Sequence, residues 1–100
     1  MFVSENLSVN EKGHLAVGGI DTVELADQYG TPLYVMDEDL IRDTVRRFKA
    51  SIDKYYGGAG LVCYASKAFC CKAMCRIMKE EGIGLDVVSG GELYTAASVD

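Results

Sequence analysis

Lys67 is the residue in this sequence best placed for covalent chemistry. It stands in Tyr64-Ala65-Ser66-Lys67-Ala68-Phe69, directly after an almost wholly apolar run, Leu61-Val62-Cys63-Tyr64-Ala65. A lysine among apolar neighbours is expected to be desolvated, which disfavours the ammonium and leaves more of the nucleophilic free amine. Such an amine condenses with a carbonyl to a Schiff base. The plainer reading is a solvated lysine at a strand-to-helix turn, and position alone favours it.

Other reactive types gather downstream. Asp86 is a carboxylate in an otherwise apolar run, Ile83–Val88, and a buried carboxylate needs a partner. Ser89 and Glu92 form a Ser-x-x-Glu capping box, and their place at a strand end also suits groups that support a site. The four cysteines, Cys63, Cys70, Cys71 and Cys75, crowd between positions 63 and 75. Cys71 and Cys75 share a helix face, but there is no Cys-x-x-Cys pair, and two thiolates make a poor zinc site. Free thiols packed with Met74 and Met78 are the expectation, with no metal. His14 reads as a surface residue. Gly57, Gly58 and Gly60 lack a following Gly-Lys-Ser/Thr, so they form no P-loop.

These residues need elements to position them. Residues 1–20 are glycine-rich and irregular, with a short strand expected at His14–Val17. Asp21 reads as the N-cap of a short helix, with Glu24 in the capping-box position, Gly30 as its stop and Pro32 beyond. Leu33–Met36 reads as a strand. Asp37 then caps an amphipathic helix, Glu38–Tyr55, with apolar residues at helical spacing and acids in its first turn. Leu61–Ala65 and Ile83–Val88 read as strands buried on both faces. A helix over Cys70–Glu81 lies between them, and another opens at Ser89. Strand, helix, strand, helix is a βαβα pattern, hence an α/β fold with a parallel sheet.

Two parallel strands close no barrel and leave apolar surface uncovered, so the chain reads as the front of a longer protein. About half of its 100 residues are apolar and a quarter charged, as in globular proteins. The net charge of −5 disfavours nucleic acid and anionic membranes as partners. No apolar run is long enough to span a membrane, and the first residues lack the pattern of a secretory signal. Clustered free thiols suit a reducing cytoplasm.

Three stretches resemble, in order, those of the pyridoxal-phosphate (PLP) dependent decarboxylases with an alanine-racemase-like barrel. They are Gly30-Thr31-Pro32-Leu33-Tyr34-Val35 with Asp37-Glu38-Asp39, then Tyr64–Phe69, then Gly84-Leu85-Asp86-Val87-Val88-Ser89-Gly90-Gly91-Glu92-Leu93. The resemblance covers roughly residues 13–100. It implies the N-terminal part of a PLP-binding (β/α)8 barrel over residues 36–100. It also implies that residues 1–35 associate with a C-terminal β-domain. It makes Lys67 the lysine that holds pyridoxal 5'-phosphate covalently and can take part in proton transfer. It places Ala65 against the cofactor and Asp86 near Lys67, and leaves Ser89 and Glu92 as supporting groups. Asp86 then has two readings, as a partner of Lys67 or as a strand-edge carboxylate bonded to backbone amides. The expected partners are an amino-acid substrate and a second copy of the chain in a homodimer.

The Ser-Gly-Gly-Glu-Leu run favours the branch that converts meso-diaminopimelate to L-lysine and CO2 over the ornithine, arginine and carboxynorspermidine branches. A non-catalytic PLP carrier or assembly module is the reading from another class, and the segment Gly13–Leu33 argues against it. Other parts of the family's site match nothing in residues 1–100. They are the acidic partner of the pyridine nitrogen, the stacking histidine, the glycine-rich phosphate loop, and the cysteine and tyrosine from the β-domain. The piece alone is therefore expected neither to bind PLP tightly nor to turn over substrate.

Overall fold

The computed structural model describes residues 2–99 and divides into two compact units, Met1–Ile41 and Arg42–Asp100. In the first unit, β1 (Leu7–Val9), β2 (Leu15–Val17) and β3 (Ile20–Asp21) form an antiparallel sheet in that order. Leu7 faces Val17 and Val9 faces Leu15 across the first pair. Val17 pairs with Ile20, so a two-residue turn joins β2 to β3. Both turn residues are glycines, Gly18 and Gly19, with φ of 58° and 83°. A tight hairpin turn of this hand requires such angles, which glycine adopts without steric cost. The expected strand at His14–Val17 is β2; β1 and the first residue of β3 fall in the stretch read as irregular.

Helix α1 (Thr22–Tyr29) follows, and the Asp21 side chain accepts from the Val23 and Glu24 amides as its N-cap. The reciprocal half of the expected capping box gives way to another pairing. Glu24 instead meets the Lys12 ammonium at 2.9 Å. Asp21 is buried and also accepts from Asn10 Nδ2 and contacts His14 Nδ1, each at 2.8 Å. The helix stops at Gly30. Leu33–Met36, expected as a strand, has no ladder partner among the described residues and runs as irregular backbone. Apolar character alone does not make a strand where no neighbouring backbone completes its hydrogen bonds.

Helix α2 (Glu38–Tyr56) is capped by Asp37, whose Oδ1 accepts from the Leu40 amide at 3.2 Å. In the second unit, β4 (Cys63–Ala65), α3 (Lys72–Glu81), β5 (Gly84–Asp86) and α4 (Gly90–Ala97) follow. β4 and β5 pair in parallel, with Cys63 opposite Gly84 and Ala65 opposite Asp86. This is the βαβα order read from the sequence. A Cβ at Gly84 would lie 2.9 Å from Cys63 Sγ, so a larger residue there would force the Cys63 side chain to move.

Val45 of α2, Met74, Cys75, Ile77 and Met78 of α3, and Val99 are buried. They form the small core of this unit. Burying such side chains is the main source of its stability, at about 25 cal/mol per Å² of apolar surface removed from water. Polar contacts join α2 to α3. Glu81 accepts a two-pronged bond from Arg46, at 2.8 and 3.0 Å, and one from Arg42 at 2.9 Å. Lys49 donates to the Glu81 carbonyl at 2.6 Å. α3 begins two residues later than its apolar pattern predicts. Cys71 takes the N-cap, its Sγ accepting from the Met74 amide. The two strands are shorter than expected and are not covered on both faces by the described residues. Leu61 is 72% exposed, and Cys63 is exposed as well. No helix among the described residues is long and apolar enough to cross a membrane.

Candidate active site

The C-terminal ends of β4 and β5 bring together five of the residues singled out above. Because β4 and β5 are parallel, Ala65 and Asp86 end side by side. The chain leaves β4 in a turn closed by the Ala68 amide donating to the Ala65 carbonyl at 3.2 Å. Ser66 and Lys67 are its two central residues. The Tyr64 hydroxyl spans the same turn and donates to the Phe69 carbonyl at 2.9 Å. Burial pushes the Tyr64 phenol up, so it stays protonated and keeps that bond over the physiological range.

Lys67 is exposed at the crest of this turn, and its ammonium makes no ion pair with any described residue. The residues of this chain therefore do not provide the desolvation expected from its apolar flanks. The reason lies in the turn, which carries the side chain off the strand end and out of the apolar layer. Asp86 is exposed too, so it does not need the partner that burial demands. Its carboxylate pairs neither with Lys67 nor with a backbone amide among the described residues. Its carbonyl instead takes the structural role, accepting from the Ser66 amide at 3.0 Å.

Ser66 is the residue that the sequence reading passed over. Its side chain is fully buried, with 1% exposure, at the end of β4. The Oγ lies 2.6 Å from Glu92 Oε1 and 3.0 Å from the Asp86 carbonyl oxygen. A hydroxyl has one proton to give, and the short contact to a carboxylate is the stronger, charge-assisted claim on it. The signal available in the sequence was a small hydroxyl residue in an apolar strand end. A serine there needs a buried acceptor.

Glu92, in the first turn of α4, is the hub on the β5 side. It accepts from Ser66, from the Val88 amide at 3.2 Å, and from the Ser89 hydroxyl at 3.3 Å. The Ser66 hydroxyl first, and the Val88 amide next, hold its carboxyl below the usual range, outweighing its burial. Ser89 caps α4, its Oγ accepting from the Glu92 amide at 3.1 Å. The Ser89–Glu92 capping box is thus formed, with its carboxylate displaced by one residue from the cap amide to that of Val88 and extended to Ser66.

The remaining candidates lie apart from this arrangement. Cys75 is buried in α3 against Cys70, and burial pushes its thiol up, so it remains a neutral packing group. Among the described residues, no three of His, Cys, Asp and Glu gather into a metal site. A cleft of about 480 Å³ is lined by Cys75, Lys79, Ile83, Leu85, Ala97 and Val99, and none of the strand-end residues borders it. His14 bonds to the α1 cap, within the other unit.

Residues 39–100 match the family model described as "Pyridoxal-dependent decarboxylase, pyridoxal binding domain". The chain is 57% identical over 96 residues to diaminopimelate decarboxylase of Bacillus methanolicus. It is 55% identical over 96 residues to that of Halalkalibacterium halodurans. Each match covers 96% of this chain and 22% of the relative, so the chain spans about a fifth of their length. The crystal structure of diaminopimelate decarboxylase from M. jannaschii in co-complex with L-lysine superimposes with a TM-score of 0.86 at 35% identity. That match covers 99% of this chain and 23% of the other.

Proposed function

The chain belongs to the pyridoxal-dependent decarboxylases, and from that membership we propose that it carries the lysine side of a site that decarboxylates meso-diaminopimelate to L-lysine. The observation that carries this reading is Lys67 at the C-terminal end of a parallel strand, in a turn fixed on both sides. Active sites of β/α barrels form at that end of the strands. High identity to diaminopimelate decarboxylases over nearly the whole chain supports the substrate.

The residues present suit pyridoxal 5'-phosphate. A primary amine without an ion-pair partner is the group that an aldehyde requires, and the Lys67 amine is exposed and unpaired. Ala65 adds no bulk beside it. When bound, the cofactor supplies an electron sink for the charge left as CO2 departs. Lys67 Nζ would hold it, and the same amine could take up or deliver a proton. Asp86, across the register from Ala65, presents a carboxylate on the same strand-end surface. It is the candidate to orient the lysine once the site is closed around it. Ser89 and Glu92 support the turn from behind.

The same reading extends to the whole protein. Residues 36–100 form the first units of a barrel, and residues 1–35 pack with a β-domain. The enzyme is a cytoplasmic homodimer.

Borohydride reduction of the full-length protein with PLP, followed by peptide mapping, tests the assignment. The pyridoxyl group is expected on Lys67. Lys67→Ala should abolish both the visible absorbance of the bound cofactor and CO2 release. A Lys67→Ala protein that still binds PLP covalently sinks the reading. Faster CO2 release from ornithine or arginine than from meso-diaminopimelate sinks the substrate.

A further inference from the structure

We propose that Ser66 and Glu92 form a positioning clamp that fixes the turn bearing Lys67, and so sets the rate at which the lysine captures an aldehyde cofactor. This rests on the reading of Lys67 given above. Ser66 precedes Lys67 and is fully buried, at 1% exposure. Its amide is tied to the Asp86 carbonyl at 3.0 Å, and its hydroxyl to Glu92 Oε1 at 2.6 Å. Glu92 is in turn tied to the Val88 amide and to Ser89, at the start of α4. One carboxylate thus joins the loop after β4 to the loop after β5, across 26 positions of sequence.

This pair is not what stability alone would select at a buried strand end. An aliphatic side chain of similar size would bury apolar surface, and an ionised carboxylate bonded to a buried hydroxyl carries a desolvation cost. What the pair provides is geometry. Lysine is a point charge on four flexible carbons, so its amine is only as well placed as the backbone that carries it. Two bonds on Ser66, the Ala65–Ala68 turn and the Tyr64–Phe69 bond leave that backbone little freedom. A displacement of about 1 Å in a reacting group can cost up to about a hundredfold in rate. Losing one of several restraints should therefore cost about tenfold.

The test uses the full-length protein, with PLP below saturation. The rate of cofactor attachment to Lys67 is read by quenching with borohydride and mapping the modified peptide, and Tm is recorded alongside. Ser66→Ala should slow capture about tenfold while remaining folded. If it fails to fold, the Glu92 variants decide. Glu92→Gln keeps an oxygen that accepts from Ser66 and Val88, and should capture at close to the unmutated rate. Glu92→Ala removes both contacts and should be slow. A purely structural role would lower Tm in Glu92→Ala without separating the two variants in capture rate per folded molecule. Capture at the unmutated rate in Ser66→Ala, or equal rates in Glu92→Gln and Glu92→Ala, overturns the clamp alone. Absence of modified Lys67 in the unmutated protein overturns the assignment of Lys67 and the clamp with it.

Discussion

At the scale of single residues, local sequence picks out Lys67 as the candidate for covalent chemistry, whereas the bonds that hold its turn leave no local mark. Lys67 announces itself because its neighbours in sequence are its neighbours in the turn. The Ser66–Glu92 bond joins positions with no local relation, and a pairing of that kind leaves no periodic trace. Asp21 shows the same division. Its role as helix cap could be read from spacing, whereas its bonds with Asn10 and His14 depend on how the hairpin folds back. Burial pushes the Asp21 carboxyl up, but the bonds from His14, Asn10 and two backbone amides outweigh it and hold it well below the usual range. A carboxylate with a depressed value in the folded state stabilises the fold above its ordinary value. That contribution is lost as pH falls through the folded value. The Val23 and Glu24 amides should therefore stay protected from hydrogen exchange at pH 5 and lose protection only well below pH 3.8. Asp21→Ala should speed exchange at both amides about tenfold at neutral pH. Unchanged exchange in that variant would show that the cap contributes nothing.

At the scale of elements, the helices were read better than the strands, and the reason is physical. A helix carries its hydrogen bonds within itself, so caps and apolar spacing are enough to mark it. Asp21, Gly30, Asp37 and Ser89 all stand where the pattern puts them. A strand depends on a partner elsewhere. Leu33–Met36 has the composition of a strand without a partner, whereas β1 and β3, of three and two residues, have partners but are too short to stand out in the sequence. The joint between α2 and α3 is likewise invisible in sequence. It converges on Glu81, whose side chain is 8% exposed between Arg42 and Arg46. Bonds from Arg46 first, then Arg42, lower its carboxyl from 4.5 to about 2. Because the folded value is the lower one, the joint is fully stabilising above pH 4.5 and fades as pH falls toward about 2. Glu81→Gln should lower the Tm at pH 7, and the gap from the unmutated protein should narrow steadily between pH 4.5 and 2. Urea melts at pH 7 and pH 2.5 measure that difference. A gap that does not change with pH would assign the loss to packing, not to the charges.

At the scale of the whole molecule, the proposed site residues of this chain lie on one strand-end surface. The parallel pair β4–β5 ends with Ala65 beside Asp86, and Lys67 and Asp86 are both exposed. The apolar faces tell the same story. Leu61, Val88, Leu93 and Tyr94 are all more than half exposed, although they flank the only parallel strands among the described residues. The M. jannaschii relative has the same backbone over a stretch that makes up 23% of its length. In such a protein the neighbouring units of a barrel are the natural cover for these faces. Covering them would also take water away from Lys67, which the turn leaves exposed. The 100-residue chain alone should therefore differ from a full-length protein in two linked ways. It should bind a hydrophobic dye such as anilinonaphthalene sulfonate, because its apolar faces are open. It should also capture PLP on Lys67 only at cofactor concentrations at least about tenfold higher, because the cofactor has few contacts to hold it there. Borohydride trapping against a PLP titration, run on both proteins, reads the second effect directly. Stoichiometric trapping on the isolated chain at the concentration that saturates the full protein would mean that the turn is sufficient by itself. The barrel's role in activating Lys67 would then have to be abandoned.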